Sequence, residues 1–309
     1  MNIPETIRIV EVGPRDGFQS VKQWIPTEHK TAIIQMLLSA GVDFMEAASF
    51  TSPKAIEQMK DAREVVESVK TSADMGGIYA LVPNLKGAER AYEAGVRQIS
   101  LVISASEAHN LSNVRRTPEE SLKELKIIRR EFPSLKVKLS LGTAFGCPFI
   151  GEVADEKITF LTDGALDLGI TDIALCDTVG MADPLLVVRR VGLLRQRYAS
   201  QTVDWAMHLH NTRGLAAANT FAALTLGIDK FETAVGGLGG CPFAPGASGN
   251  MATEDLLFMA ARMNIATKTH LETIIRTAEY IRDVVGIPID GKINAKTRHT
   301  IYSDGPSCQ

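Results

Sequence analysis

Short β-rich runs alternate with longer amphipathic segments, and this alternation constrains the chain more than any other feature. The β-rich runs are Ile7–Val12, Asp43–Ala47, Ile78–Val82, Gln98–Ile103, Val137–Leu141, Asp172–Leu175, Trp205–His208 and Lys230–Val235. Between them lie helical patterns such as Glu28–Ala40, where Ala32, Ile33, Met36, Leu37 and Ala40 recur at three- and four-residue spacing. Thr117-Pro118-Glu119-Glu120 reads as a capping box opening another helix. Gly41, Gly95, Gly169 and Gly227 stand where a left-handed residue would stop a helix before the next strand. Eight strand runs separated by seven helical ones predict an α/β fold, a parallel eight-stranded (β/α)8 TIM barrel with outer helices. The alternative, an open doubly wound sheet, would want a glycine-rich fingerprint after the first strand. Here Gly13-Pro14-Arg15-Asp16-Gly17 follows instead, and a proline and two charges make a poor pyrophosphate cradle.

No long Pro/Ser linker, low-complexity tract or charge block divides the 309 residues, so a single domain is expected, with an irregular tail after Ile301. Leu271–Val284 is expected to be a packed helix near the end. Lys and Arg number 33 against 36 acidic residues, which leaves no basic excess for a nucleic-acid partner. No run approaches the ~20 apolar residues that cross a bilayer. The first residues, Met1-Asn2-Ile3-Pro4-Glu5, lack the basic and apolar regions of a secretion signal, and four cysteines are too few for a disulfide scaffold. The expectation is a cytoplasmic enzyme without nucleic-acid or membrane partners.

In such a barrel, chemistry gathers where strands end. Arg15 and Asp16 follow the first strand, Glu46 lies on the second, and Asn84 follows the third. Ser104, Ser106 and Glu107 follow the fourth, Thr143 the fifth, Asp177 the sixth, and His208 and His210 close the seventh. On a strand, residues two apart share a face, so the imidazoles of His208 and His210 point together. With Asp16 across the mouth they make a ligand set for a divalent metal; the alternative is hydrogen bonding within the mouth. Glu46 sits in the apolar run Phe44-Met45-Glu46-Ala47-Ala48 and needs a partner, for which Arg15 is the candidate. Asp177 repeats that pattern after Ala174-Leu175-Cys176.

Residues 236–250 carry six glycines in fifteen positions, more than a plain connector needs, and a lid over the barrel mouth fits them. Cys241 lies inside this segment and is the reactive candidate, whereas Cys147 and Cys176 read as packing residues and Cys308 as incidental.

Together these motifs resemble the metal-dependent DRE-TIM lyases and synthases, through Val10–Gln19 and His208-Leu209-His210. The glycine run with Cys241 is similar to the signature of the 3-hydroxy-3-methylglutaryl-CoA lyase family. Glu46–Lys54, Pro83–Gly87 and Cys176–Gly180 match as well, so the resemblance covers roughly Ile7 to Ala295. It implies a Mg2+ or Mn2+ cofactor held by Asp16, His208, His210 and Asn250. It also implies Arg15 beside the thioester oxygen, Cys241 as catalytic thiol, and Glu46 and Asp177 as further polar groups of the site. The implied reaction is retro-Claisen cleavage of a 3-hydroxyacyl-CoA, with acetyl-CoA and acetoacetate as products of the parent substrate.

Departures from the family pattern lie at Ser106–Arg116, at Asn211 and Arg213 after the second histidine, and at Thr143. None removes an implied ligand, but they open citramalyl-CoA or another branched 3-hydroxyacyl-CoA as the substrate. A condensing synthase on the same scaffold and a non-catalytic barrel are the competing classes; Cys241 argues against the first and the polar strand ends against the second. Outer helices of such barrels often pair, so a homodimer is the assembly to test.

Overall fold

The computed structural model describes residues 2–70, 75–240, 249–295 and 297; Cys241 and the tail after Ile301 lie outside the described residues. Eight parallel strands close into a barrel in sequence order. They are β1 (Arg8–Glu11), β2 (Phe44–Ser49), β3 (Ile78–Leu81), β4 (Gln98–Ser104), β5 (Lys136–Gly142), β6 (Asp172–Asp177), β7 (Asp204–Leu209) and β8 (Lys230–Thr233). Each follows its predicted run within about two residues. β8 stops at Thr233, short of the predicted Val235, because the chain turns at Val235–Gly237 with Gly236 at φ 69°.

The helices are α1 (Thr27–Ser39), α2 (Ala62–Val69), α3 (Leu85–Glu93), α4 (Glu107–Val114), α5 (Pro118–Glu131), α6 (Asp155–Asp167), α7 (Pro184–Arg197), α8 (Ala216–Thr225), α9 (Thr253–Arg262) and α10 (Leu271–Tyr280). The predicted capping box opens α5, with Thr117 accepting from the Glu120 amide and Glu120 from the Thr117 amide. Gly41, Gly95, Gly169 and Gly227 all have positive φ, as their helix-stopping role requires. Three things were not read from the pattern: α4 is an extra helix after β4, α9 is an extra helix after β8, and the last predicted helix is α-helical only to Tyr280 and ends in a π-turn at Ile281–Val285.

Strand side chains divide by direction. Ile9, Ile99, Leu139, Ile173, Met207 and Phe231 share one buried cluster with helix residues such as Ile33, Leu37, Leu125, Ile128, Leu161 and Val191. Burying this aliphatic layer is the main driving force for closing the barrel. Alternate strand residues face inward, where Ala174, Cys176 and Ala206 form a small separate cluster. Small inward side chains leave room for polar groups that reach across.

Bonds between strands that are not neighbours must cross this interior. Near the strand starts, Lys230 Nζ on β8 donates to Asp172 Oδ1 on β6 at 2.8 Å and to Asp204 Oδ2 at 2.9 Å. Tyr79 on β3 donates its hydroxyl to Asp172 Oδ2 at 2.8 Å. Lys230 therefore ties the floor of the barrel, far from the strand ends.

Lys230→Met removes that tie and leaves Asp172 with only the Tyr79 hydroxyl and Asp204 with only Arg8. Its cost should be about 1–2 kcal/mol, below the scale for a fully buried pair because both aspartates are partly exposed and keep another partner. A clear fall in Tm with unchanged kcat per folded molecule is the expected result; an unchanged Tm would mean the network does not hold the floor.

Candidate metal centre

The turn after β1 carries the first site residues. Arg15, Asp16 and Gly17 all return their amides to the Val12 carbonyl, a tight π-turn over Gly13–Gly17. Gly17 permits this turn to pack closely, since a Cβ there would lie 2.7 Å from Leu238 Cβ. The winding directs Arg15 and Asp16 into the mouth, where Arg15 is buried and Asp16 nearly so. Arg15 Nε pairs with Glu46 Oε2, the partner expected from sequence, and Nη1 lies 2.6 Å from Asp16 Oδ1.

His208 ends the inward face of β7, and His210 follows two residues on, as strand geometry requires. Their Nε2 atoms are 3.1 Å apart. Ligand atoms of Asp16, His208 and His210 all lie within 4.8 Å of one another. After the loop, the chain returns alongside β7 and β8: Met251 donates to the Leu209 carbonyl at 2.9 Å and Asn211 to that of Gly249 at 2.8 Å. This return carries Asn250 to the cluster. Its Nδ2 donates to Asp16 Oδ2 at 2.8 Å and to the Leu238 carbonyl at 3.0 Å, which fixes the amide orientation. Its Oδ1 is buried with no hydrogen-bond partner among the described residues.

Two residues that the sequence reading did not single out complete the centre. Glu232 on β8 places Oε2 3.0 Å from His208 Nδ1 and Oε1 2.5 Å from Lys138 Nζ on β5. Lys138 Nζ is 4.0 Å from Glu46 Oε1, which also accepts from the Ser100 hydroxyl. The available signal was period two: Lys138 and Ser140 alternate with Val137, Leu139 and Leu141, as Lys230 and Glu232 do on β8. In a closed barrel, such polar alternates face inward rather than to solvent.

Electrostatics follow from this ring. Burial alone would raise the Asp16 carboxyl, but Arg15, the two histidines and the Asn250 bond outweigh it and bring it down to about 2. Burial likewise opposes charge on His208, yet the bond to Glu232 and the charges of Glu232 and Asp16 pull its value up. His210 drops to about 4, through burial and then repulsion from His208. Burial pushes Asp177 up to about 6 against amide bonds from Met181 at 2.7 Å and Ala182 at 3.1 Å. Its Oδ2 has no hydrogen-bond partner among the described residues.

A divalent cation fits this donor set. Two converging imidazole nitrogens, an ionised aspartate and an unsatisfied amide oxygen are mixed N/O ligands of the kind such ions take. Asp16, Glu46 and Glu232 against Arg15 and Lys138 also leave the ring one formal negative charge when the histidines are neutral.

Other polar strand-end residues hold the backbone instead. Asn84 caps α3 by accepting from Gly87, and Ser106 caps α4 by accepting from His109. Thr143, at φ 53°, accepts from the Ser106 amide at 3.1 Å, while Glu107 is exposed. Cys147 and Cys176 are buried, as packing residues should be. Arg213 binds the Val179 and Gly180 carbonyls at 2.7 and 3.0 Å and so fixes the loop after β6.

Comparison with known proteins shows the family. The HMGL-like family model matches residues 6–281. The hydroxymethylglutaryl-CoA lyase YngG of Bacillus subtilis is 39% identical over 295 residues, covering 94% of this chain and 97% of that protein. The (R)-citramalyl-CoA lyase of Chloroflexus aurantiacus is 38% identical over 298 residues, covering 92% and 93%. An HMG-CoA lyase structure from Acinetobacter baumannii, in complex with coenzyme A and 3-methylmalate, superposes with TM-score 0.87 at 38% identity, covering 93% and 94%. Family match, full-length relatives and barrel all agree: this chain belongs to the HMGL-like family, the hydroxymethylglutaryl-CoA lyases and their kin.

Proposed function

We propose that the protein is a metal-dependent acyl-CoA lyase that cleaves 3-hydroxy-3-methylglutaryl-CoA to acetyl-CoA and acetoacetate. The observation that carries this reading is the convergence of Asp16, His208 and His210 beside the buried Arg15. Asp16, His208, His210 and the Asn250 amide oxygen would hold the Mg2+ or Mn2+ ion. When bound, the ion supplies Lewis acidity to the substrate's tertiary hydroxyl and orients its carboxylate.

The chain's own groups handle the protons and the developing charge. Asp177 has one oxygen committed to the Met181 and Ala182 amides and the other unpartnered, which suits it to receive the hydroxyl proton. As that O–H pair becomes the carbonyl of acetoacetate, the C2–C3 bond breaks and its electrons pass into the thioester enolate. Arg15 has Nε and Nη1 committed to Glu46 and Asp16, so Nη2 is the donor left for the enolate oxygen. Glu46 fixes that guanidinium. Cys241 would give its thiol proton to C2, completing acetyl-CoA, and proton exchange with solvent restores both groups. A glycine-rich segment closing over the mouth would shield the enolate until that transfer.

A second substrate reading rests on the Chloroflexus relative, whose named activity is on (R)-citramalyl-CoA at 38% identity. One assay distinguishes the readings and tests the function: purified protein with each thioester, with Mg2+ and after exhaustive chelation. Mg2+-dependent release of acetyl-CoA, with a higher kcat/KM for the 3-hydroxy-3-methylglutaryl thioester, is expected. Full turnover after chelation would overturn the metal assignment, and preference for citramalyl-CoA would reassign the substrate.

Asp177 must be ionised to accept a proton, and its value is pushed up to about 6. The rate kcat should therefore climb as pH rises through about 6 and hold level until the Cys241 thiol begins to ionise near its ordinary ~8.5. Asp177→Asn should abolish that limb and cost ~10²–10⁴ in kcat; persistence of the limb would place the base elsewhere.

A thiol near its ordinary pKa of ~8.5 is mostly protonated at neutral pH, whereas a serine hydroxyl is a far weaker acid. Cys241→Ser should lower kcat by ~10² or more, the scale of a lost general acid, and leave Mn2+ binding unchanged. Near wild-type turnover would assign the donor to another group.

A further inference from the structure

Lys138 and Glu232 sit on β5 and β8, which are not neighbours in the barrel, so their pair spans its interior. Their side chains are 0% and 2% exposed. Buried charges of this kind seldom add net stability, so their presence calls for another reason. The reason lies in what Glu232 touches next: its second oxygen is 3.0 Å from His208 Nδ1, while His208 Nε2 faces the proposed cation position. A neutral imidazole carries one proton. Donating it from Nδ1 to a carboxylate leaves Nε2 as a lone pair with the ring held in place.

Glu232 can do this because Lys138 holds its other oxygen. Lys138 also lies 4.0 Å from Glu46, so it stands between two buried carboxylates that would otherwise repel. The second histidine has no such support, since His210 Nδ1 has no hydrogen-bond partner among the described residues. Orientation of the pair therefore hangs on one side.

We propose that Glu232, braced by Lys138, is a positioning residue that fixes the tautomer and ring angle of His208 and thereby sets the affinity of the metal centre. This rests on the metal-dependent reading of the site. Neither residue touches substrate or cation; both act through His208.

The test measures Mn2+ binding by electron paramagnetic resonance of the free ion, on wild type, Glu232→Gln and the double variant Lys138→Met with Glu232→Gln. The double variant leaves no unpaired buried charge at the two positions and is the one expected to fold. Both variants should lose 10–100-fold in Mn2+ affinity, the usual scale for such outer partners, and the double variant should keep a cooperative melt. In the Mg2+-loaded wild type, 15N spectra should show His208 protonated at Nδ1 and bare at Nε2; this readout needs no variant. Wild-type affinity in the folded double variant, or a His208 bare at Nδ1, would overturn the proposal and leave the metal reading standing. Absence of Mn2+ binding by the wild type would overturn both.

Discussion

A buried charge must meet its opposite, and inside this barrel that requirement is met by a ring. From Asp16 the contacts run through Arg15, Glu46, Lys138, Glu232 and His208, and return to Asp16 at 4.0 Å from His208 Nε2. Each member is held from two sides. Removing any one would leave its two neighbours with a single ring partner each in a low-dielectric interior, where a half-compensated charge is costly. The ring therefore fixes the first-strand turn, the second-strand carboxylate and the seventh-strand histidines relative to one another before any ligand arrives.

Such preorganisation explains how residues so far apart in sequence act as one centre. Alternation along parallel strands sends one residue in two inward, and small groups such as Ala174, Cys176 and Ala206 leave the long charged side chains room to meet. Arg15 shows the consequence. It is the counter-charge for Glu46 and Asp16 and, in the proposed reaction, the donor for the enolate, so a change there would cost stability as well as rate. Asn250 shows the other half, since it reaches the ring only because the chain returns beside β7 after the glycine-rich segment.

Much of this was legible in the sequence because the relevant rules are local. The strand runs, the Thr117 capping box and the helix-ending glycines follow from periodicity and backbone preference, and the barrel follows from their count. Pairing of Glu46 with Arg15 was readable because a carboxylate in an apolar run demands a partner. Lys138 and Glu232 were missed because polar alternation on a strand looks the same whether the polar face meets solvent or a barrel interior; only closure of the sheet decides. Asn84, Ser106 and Thr143 show a second use of polar strand ends. They stand at strand ends, yet their side chains satisfy backbone amides, a use that position in the chain does not distinguish from chemistry.

The proposed function stands on one divalent-cation site made by Asp16, His208, His210 and Asn250. Anomalous diffraction from crystals soaked in Mn2+ tests it most directly. A single strong peak is expected about 2.0–2.3 Å from Nε2 of both histidines and from an Asp16 oxygen, the range of such ligand bonds. A peak bound elsewhere in the barrel, or none at saturating Mn2+, would contradict it.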